Sequence, residues 1–272
     1  MNRDTPLKTF SNLGGLRTLL GKSARRVAYH YYSWTVRQPP LKLFLLSHMR
    51  SGSSLLTHIL NTNPEILGFG ETWIQYSSEE NFNELIAEVH FSLRKFKISE
   101  KYILDKILHN HLIINPEILR SDQVYLIFLI REPQNTLPSI LKLLPKIPEK
   151  TAFNYYTERL LTLEKYAQLV GNTQRNLVIT YNQLCRQNEL VFKALQDFID
   201  VQHPFSEEYE VLKTTGRRGV GDPSSNIKAG KIMKSTQTQN RQISSELIEE
   251  SMKIFDQCYI NLSQSCSKVD SD

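Results

Sequence analysis

Apolar residues gather in short continuous blocks along parts of this chain and recur every three to four positions along others, the two patterns that separate buried strands from amphipathic helices. Leu43–Leu46 and Val124–Ile130 are blocks of the first kind and predict parallel strands buried on both faces. Helical spacing marks Ser54–Asn61 through Leu55, Ile59 and Leu60, and again Glu79–Phe96, Phe153–Val170, Asn188–Ile199 and Ser245–Leu262. Thr9–Arg37 is also helical in pattern but basic, with Leu13, Leu16, Leu19, Leu20, Val27, Tyr31 and Trp34 available for an apolar face. It predicts a segment packed on the domain, with a membrane surface as the alternative. Gln38–Leu41, QPPL, interrupts it before the first strand. The alternation predicts a basic helical segment over 1–40 and one α/β domain over 41–272, a central parallel sheet flanked by helices.

The junction after the first predicted strand carries the chemistry. FLLSHMRSGSSLL passes from strand through an arginine-bearing Gly/Ser turn into a helix start, an order that builds an anion cradle. Free N–H groups and the positive end of the helix dipole face the anion, Gly52 lets the backbone approach, and Ser53 and Ser54 add hydroxyls. The nucleotide P-loop, GxxxxGK[ST], is a different arrangement: Ser47 stands at its first glycine and Ser53 at its lysine, while the cation here, Arg50, precedes the glycine. An arginine so placed grips a terminal phosphate through its planar fork without a metal.

These residues resemble the sulfotransferases that use 3′-phosphoadenosine 5′-phosphosulfate (PAPS). RSGSSLL followed by NPEILGFGE is similar to the 5′-phosphosulfate loop of the carbohydrate and tyrosylprotein branches. VYLIFLIREPQNTLPSI resembles the 3′-phosphate element, a strand ending in arginine with a serine eight residues on, here Arg131 and Ser139. LDKILHN resembles the segment whose lysine reaches the sulfonate, LVITYNQL the strand that ends in a tyrosine near the adenine and is followed by a helix, and TGRRGVGD, one residue short between its glycines, the late element that closes over the 3′-phosphate.

The resemblance implies a P-loop-like sulfotransferase fold and a set of roles. Arg50, Ser51, Gly52, Ser53 and Ser54 would hold the 5′-phosphate, and Arg131 and Ser139 the 3′-phosphate, with Tyr181, Arg217, Arg218 and Gly219 completing the donor site. Glu71 would take the acceptor's proton and Lys106 would neutralise the moving sulfonate and leaving phosphate. His109 is the rival base, although the cytosolic branch spaces its histidine two residues after a lysine and His109 lies three after Lys106. No metal is implied. A P-loop-like nucleotide kinase and a non-catalytic phosphoadenosine-binding protein stay open as alternatives; the second would need neither Glu71 nor Lys106. KLLPKIPEK, Lys142–Lys150, is expected as an acceptor-site loop, and the acceptor as a small molecule or glycan bearing a hydroxyl or amine.

Charge and composition agree. The first 50 residues carry nine Lys/Arg and one acid, and Arg217–Lys234 adds five basic residues against Asp222, a balance that steers an anionic donor. No zinc-finger spacing, RNA-recognition signature or helix-turn-helix pattern favours nucleic acid. With neither an apolar run of spanning length nor a signal-peptide core, a cytoplasmic enzyme without a transmembrane segment is expected. Cys185, Cys258 and Cys266 show no metal spacing and are expected to be reduced.

Overall fold

The computed structural model describes residues 39–95, 99–212, 215–216, 225–233 and 243–269. The basic segment read over Thr9–Arg37 and the late triplet Arg217, Arg218 and Gly219 lie outside the described residues.

Six strands form one fully parallel sheet: β1 Leu41–Ser47, β2 Ile66–Leu67, β3 Tyr102–Ile107, β4 Val124–Ile130, β5 Asn176–Thr180 and β6 Ser267–Lys268, in the order β2-β3-β1-β4-β5-β6. The two apolar blocks of the sequence are the central strands β1 and β4, paired from Lys42↔Val124 to Ser47↔Leu129. Along β1 the pleat sends Phe44 and Leu46 to one apolar core and Leu43 and Leu45 to the other.

Helices cover both faces. On one lie α1 Ser53–Thr62, α6 Tyr181–Arg186 and α7 Asn188–Ile199, packed with Leu43, Leu45, Ile127 and Ile179. On the other lie α2 Glu80–Leu93, α3 Pro116–Arg120, α4 Pro133–Leu143, α5 Glu149–Val170 and, beyond the short α8 Ser225–Lys228, the long α9 Ser245–Ser265. This is the expected single α/β domain with its parallel sheet buried on both sides. Chain connections leave β1 toward β3 and leave β4 toward β5, so the topology reverses between β1 and β4, and the crevice at their C-terminal ends is where such sheets take ligands.

Two local expectations are corrected. Lys142 and Leu143 finish α4, and Glu149 and Lys150 begin α5, which leaves only residues 144–148 of the expected acceptor-site loop as a connection. Pro148 occupies the N-cap of α5 and sets its φ for helix entry, starting the helix a turn before Phe153. Tyr181 opens α6 and does not end β5: Thr180 caps the helix through a reciprocal pair with Gln183.

Candidate active site

The β1–α1 turn is held in shape by side chains that face the crevice. Arg50 adopts φ 64° and Gly52 φ 95°, two left-handed residues that fold the backbone back over the start of α1. A Cβ on Gly52 would sit 2.4 Å from Cδ2 of Tyr181, so the ring packs where only glycine leaves room. Ser47 Oγ donates to the Leu129 carbonyl of β4 (2.5 Å) and shares a hydrogen bond with Ser51 Oγ (2.6 Å), which in turn accepts from Ser53 N–H (3.2 Å). Ser53 and Ser54 are the first residues of α1, whose opening N–H groups have no intrahelical acceptor.

β4 delivers Arg131 to the same edge. Its backbone N–H donates to Nε2 of His48 (3.1 Å), its Nη1 donates to the Arg50 carbonyl (3.0 Å), and its guanidinium lies 4.1 Å over the ring of Tyr181. Arg50 Nε donates to Ser139 Oγ, inside α4, at 2.8 Å. The turn, the end of β4, α4 and α6 therefore bring Arg50, Gly52, Ser53, Ser54, Arg131, Ser139 and Tyr181 to one crevice. Arg131 Nε is buried without a hydrogen-bond partner among the described residues, a donor suited to a bound anion. The set of donors suits an anionic ligand: two arginines, three hydroxyls and a helix start, with the Tyr181 ring beside them.

A carboxylate, a lysine and a histidine lie beside α1. Lys106 Nζ is 3.5 Å from Glu71 Oε1 and 3.4 Å from Ser54 Oγ, and His109 Nε2 is 3.7 Å from Glu71 Oε2. Glu71, Lys106 and His109 thus converge next to the cradle. Burial raises the Glu71 carboxyl above its ordinary range, with the Lys106 charge working against that rise. His109 moves the other way, to about 3, through burial and then the charges of His111, Arg159 and Lys106, so its ring is neutral. It stacks on Trp73 (5.5 Å) and His111 (5.3 Å), an aromatic wall beside Glu71.

Five residues of this neighbourhood were not singled out from sequence. His48 bridges the turn to β4 as a neutral ring, its pKa lowered to about 3 by burial, then by the nearby Arg131 and Arg159. Tyr155 accepts from Met49 N–H (2.8 Å) and donates to the Leu108 carbonyl (2.9 Å), tying the cradle to the residues after β3. Arg159 of α5 is fully buried and donates to the carbonyls of Ser47 (2.8 Å) and Ile107 (2.6 Å) and to Asn110 (3.1 Å), with no carboxylate in ion-pair reach among the described residues. Asp105 and Trp73 complete the group. The signals were faint: Arg159 sits in ERLLTLE, a pattern equally suited to a solvated helix face, and Asp105 was visible only as the residue before Lys106.

No protein-family model matches the chain, and no curated protein matches it in sequence. Solved structures do match. The sulfotransferase domain from the curacin biosynthetic pathway superposes with a TM-score of 0.58 at 18% identity, over 82% of this chain and 99% of that one. The sulfotransferase domain from the Synechococcus PCC 7002 olefin synthase gives 0.54 at 18% identity, over 82% and 96%, and mouse sulfotransferase SULT7A1 complexed with PAP gives 0.51 at 11%, over 89% and 93%. The chain has the sulfotransferase fold. In the sulfotransferase fold of this chain the crevice between β1 and β4 gathers two cations, while the adjoining end of β3 supplies a third, Lys106, and the run after β2 a carboxylate, Glu71. Among the described residues no helix is long and apolar enough to cross a membrane.

Proposed function

We propose that this protein transfers a sulfuryl group from PAPS to a hydroxyl or amine of a small-molecule acceptor and releases 3′-phosphoadenosine 5′-phosphate (PAP). The observation that carries the reading is the convergence of two groups of residues on one crevice: Arg50, Arg131 and Ser139 as an anion-binding set, and Glu71 with Lys106 against Ser54 as a reacting set. A protein that only bound phosphoadenosine would need the first and not the second. A nucleotide kinase is disfavoured because Ser53 stands where the P-loop lysine belongs. The SULT7A1 neighbour complexed with PAP supports the donor, and the curacin and olefin synthase neighbours support a small-molecule acceptor.

In this reading Arg131 and Ser139 hold the 3′-phosphate end, while Arg50, the cradle's N–H groups, Ser53 and Ser54 hold the 5′-phosphate, the Arg50–Ser139 bond linking the two ends. The acceptor lies against Trp73, His109 and His111. Its oxygen or nitrogen attacks sulfur as Glu71 takes its proton, the bond from sulfur to the 5′-phosphate oxygen breaks, and Lys106 meets the charge that develops on the departing phosphate. Glu71 suits the base because burial raises its proton affinity, whereas a histidine held near 3 is a weak one. The test is twofold: PAP should raise the melting temperature far more than ATP with magnesium does, and sulfur-labelled PAPS should transfer label to members of a panel of alcohols, phenols, sugars and amines. Equal stabilisation by both nucleotides overturns the reading.

A further inference from the structure

We propose that Asp105, with Thr72, is the positioning device that holds Glu71 against Lys106. The proposal rests on Glu71 being the base. From residue 68 to residue 75 the chain is in neither strand nor helix, so Glu71 lacks a regular scaffold of its own. Its two chain neighbours are instead fastened to consecutive residues of β3. The Gly70 carbonyl accepts from Lys106 N–H (3.2 Å), and Thr72 donates twice to the Asp105 carboxylate, through N–H (3.1 Å) and Oγ1 (2.8 Å).

Asp105 is itself over-determined. It is buried, it accepts also from Lys106 N–H (2.9 Å) and from Tyr76 Oη (2.7 Å), and among the described residues no cation pairs with it. Four neutral donors therefore fix a carboxylate in an apolar layer that includes Phe44, Ile103 and Ile107. An apolar side chain there would avoid the desolvation of a carboxylate but could not accept from the residue after Glu71. Consecutive strand residues point to opposite faces, so Lys106 reaches Ser54 and the crevice while Asp105 reaches back to Thr72. One rigid central strand thereby sets the separation between the two reacting groups, 3.5 Å from Lys106 Nζ to Glu71 Oε1.

Four variants test this. Thr72→Val removes one donor to Asp105 at constant shape, Asp105→Ala removes the acceptor, Asp105→Asn keeps an amide oxygen for the two N–H donors, and Tyr76→Phe removes a bond to Asp105 that does not adjoin Glu71. The acceptor is the panel compound that wild type sulfates fastest, and the readout is single-turnover transfer from saturating PAPS, with PAP affinity by calorimetry. Thr72→Val should slow transfer by about 10-fold and Asp105→Ala by about 100-fold, the scale of a misplaced reacting group, with PAP affinity unchanged. Asp105→Asn should recover most of the rate, and Tyr76→Phe should change it little. An acceptor-independent readout is the titration of the Glu71 carboxyl in protein labelled with carbon-13 at glutamate, assigned by Glu71→Gln: its midpoint should move in Thr72→Val and Asp105→Ala.

Normal rates and an unmoved midpoint in those two variants overturn the proposal, as does a loss in Tyr76→Phe equal to that in Thr72→Val, or no recovery in Asp105→Asn. If Asp105→Ala does not fold, Thr72→Val decides. Near-normal transfer by Glu71→Gln would instead defeat the assignment of the base, an outcome separate from the others.

Discussion

Arg50 Nε donates to Ser139 Oγ at 2.8 Å, joining the turn after β1 to the middle of α4. The two residues lie 89 positions apart, and Arg131 closes the triangle through its bond to the Arg50 carbonyl. In the proposed reading a 3′-phosphate would meet Arg131 and Ser139 already oriented by these bonds. Arg131→Ala should therefore weaken PAP binding by roughly 2–3 kcal/mol, the scale of a lost charge-assisted hydrogen bond, and Ser139→Ala by about 1 kcal/mol. Calorimetry with PAP measures both, and ATP binding should change far less.

The base is tested by its pH dependence as well as by substitution. As the proposed base Glu71 would work only when ionised, and burial lifts its pKa above the ordinary 4.5, so transfer should fall on the acid side at a pH above that value. Glu71→Gln should lower single-turnover transfer by about 100-fold or more and abolish that acid limb, with PAP affinity nearly unchanged. At saturating acceptor His109→Ala should leave the transfer step close to wild type, the lost ring showing in acceptor affinity. Loss of transfer in His109→Ala with retention in Glu71→Gln would reverse the two roles.

Gly52 offers a steric test of the cradle. A methyl group there faces both a φ of 95° and the ring of Tyr181 at 2.4 Å, so either the turn or the ring must shift. Gly52→Ala should cost about 1–3 kcal/mol in stability, measured by urea unfolding, and should weaken PAP binding because Tyr181 stacks under Arg131. Unchanged affinity would separate Tyr181 from the donor site.

What the sequence displayed and what it hid follow from one physical difference. β1, β4 and the turn were legible because a strand buried on both faces must be continuously apolar, and a cradle needs glycine and small hydroxyls at its bend. Arg131 could be placed for the same reason, since it follows immediately on such a strand, whereas Ser139, inside α4, was read only from the family resemblance. β2 and β6 are two residues each and carry no period. Asp105 and Arg159 are buried charges satisfied by distant backbone and hydroxyl groups, and in sequence such charges are indistinguishable from solvated ones. Trp73, at φ 63°, is placed by the irregular run beyond β2, whose path depends on Asp105.

Arg159 is predicted to matter to both stability and binding. Arg159→Met would leave the carbonyls of Ser47 and Ile107 without their donor at the ends of β1 and β3, a loss of about 3 kcal/mol or more in urea unfolding. It would also remove a fixed positive charge behind the cradle, so PAP affinity should fall. Arg159→Lys should not restore stability, because one ammonium cannot span three acceptors that a planar fork reaches together.

Asp105 gives the most direct electrostatic test, since its carboxyl is raised from 3.8 to about 6 by burial, despite hydrogen bonds from Tyr76, Thr72 and the Lys106 backbone that favour the ionised form. A carboxyl with a higher pKa in the folded than in the unfolded state binds its proton more tightly when folded. Its contribution to stability is therefore fully present below pH 3.8 and disappears as the pH rises through about 6. Asp105→Asn is uncharged throughout and keeps an acceptor oxygen, so other titrating groups cancel when the two proteins are compared. Between pH 5 and pH 7 wild type should lose roughly 1 kcal/mol relative to Asp105→Asn, with no further change above pH 7. Urea unfolding of both proteins at pH 5, 6, 7 and 8 measures the difference. A difference that stays constant or grows in favour of wild type as the pH rises would mean that the four donors outweigh burial, and that the ionised carboxylate stabilises the segment carrying Glu71.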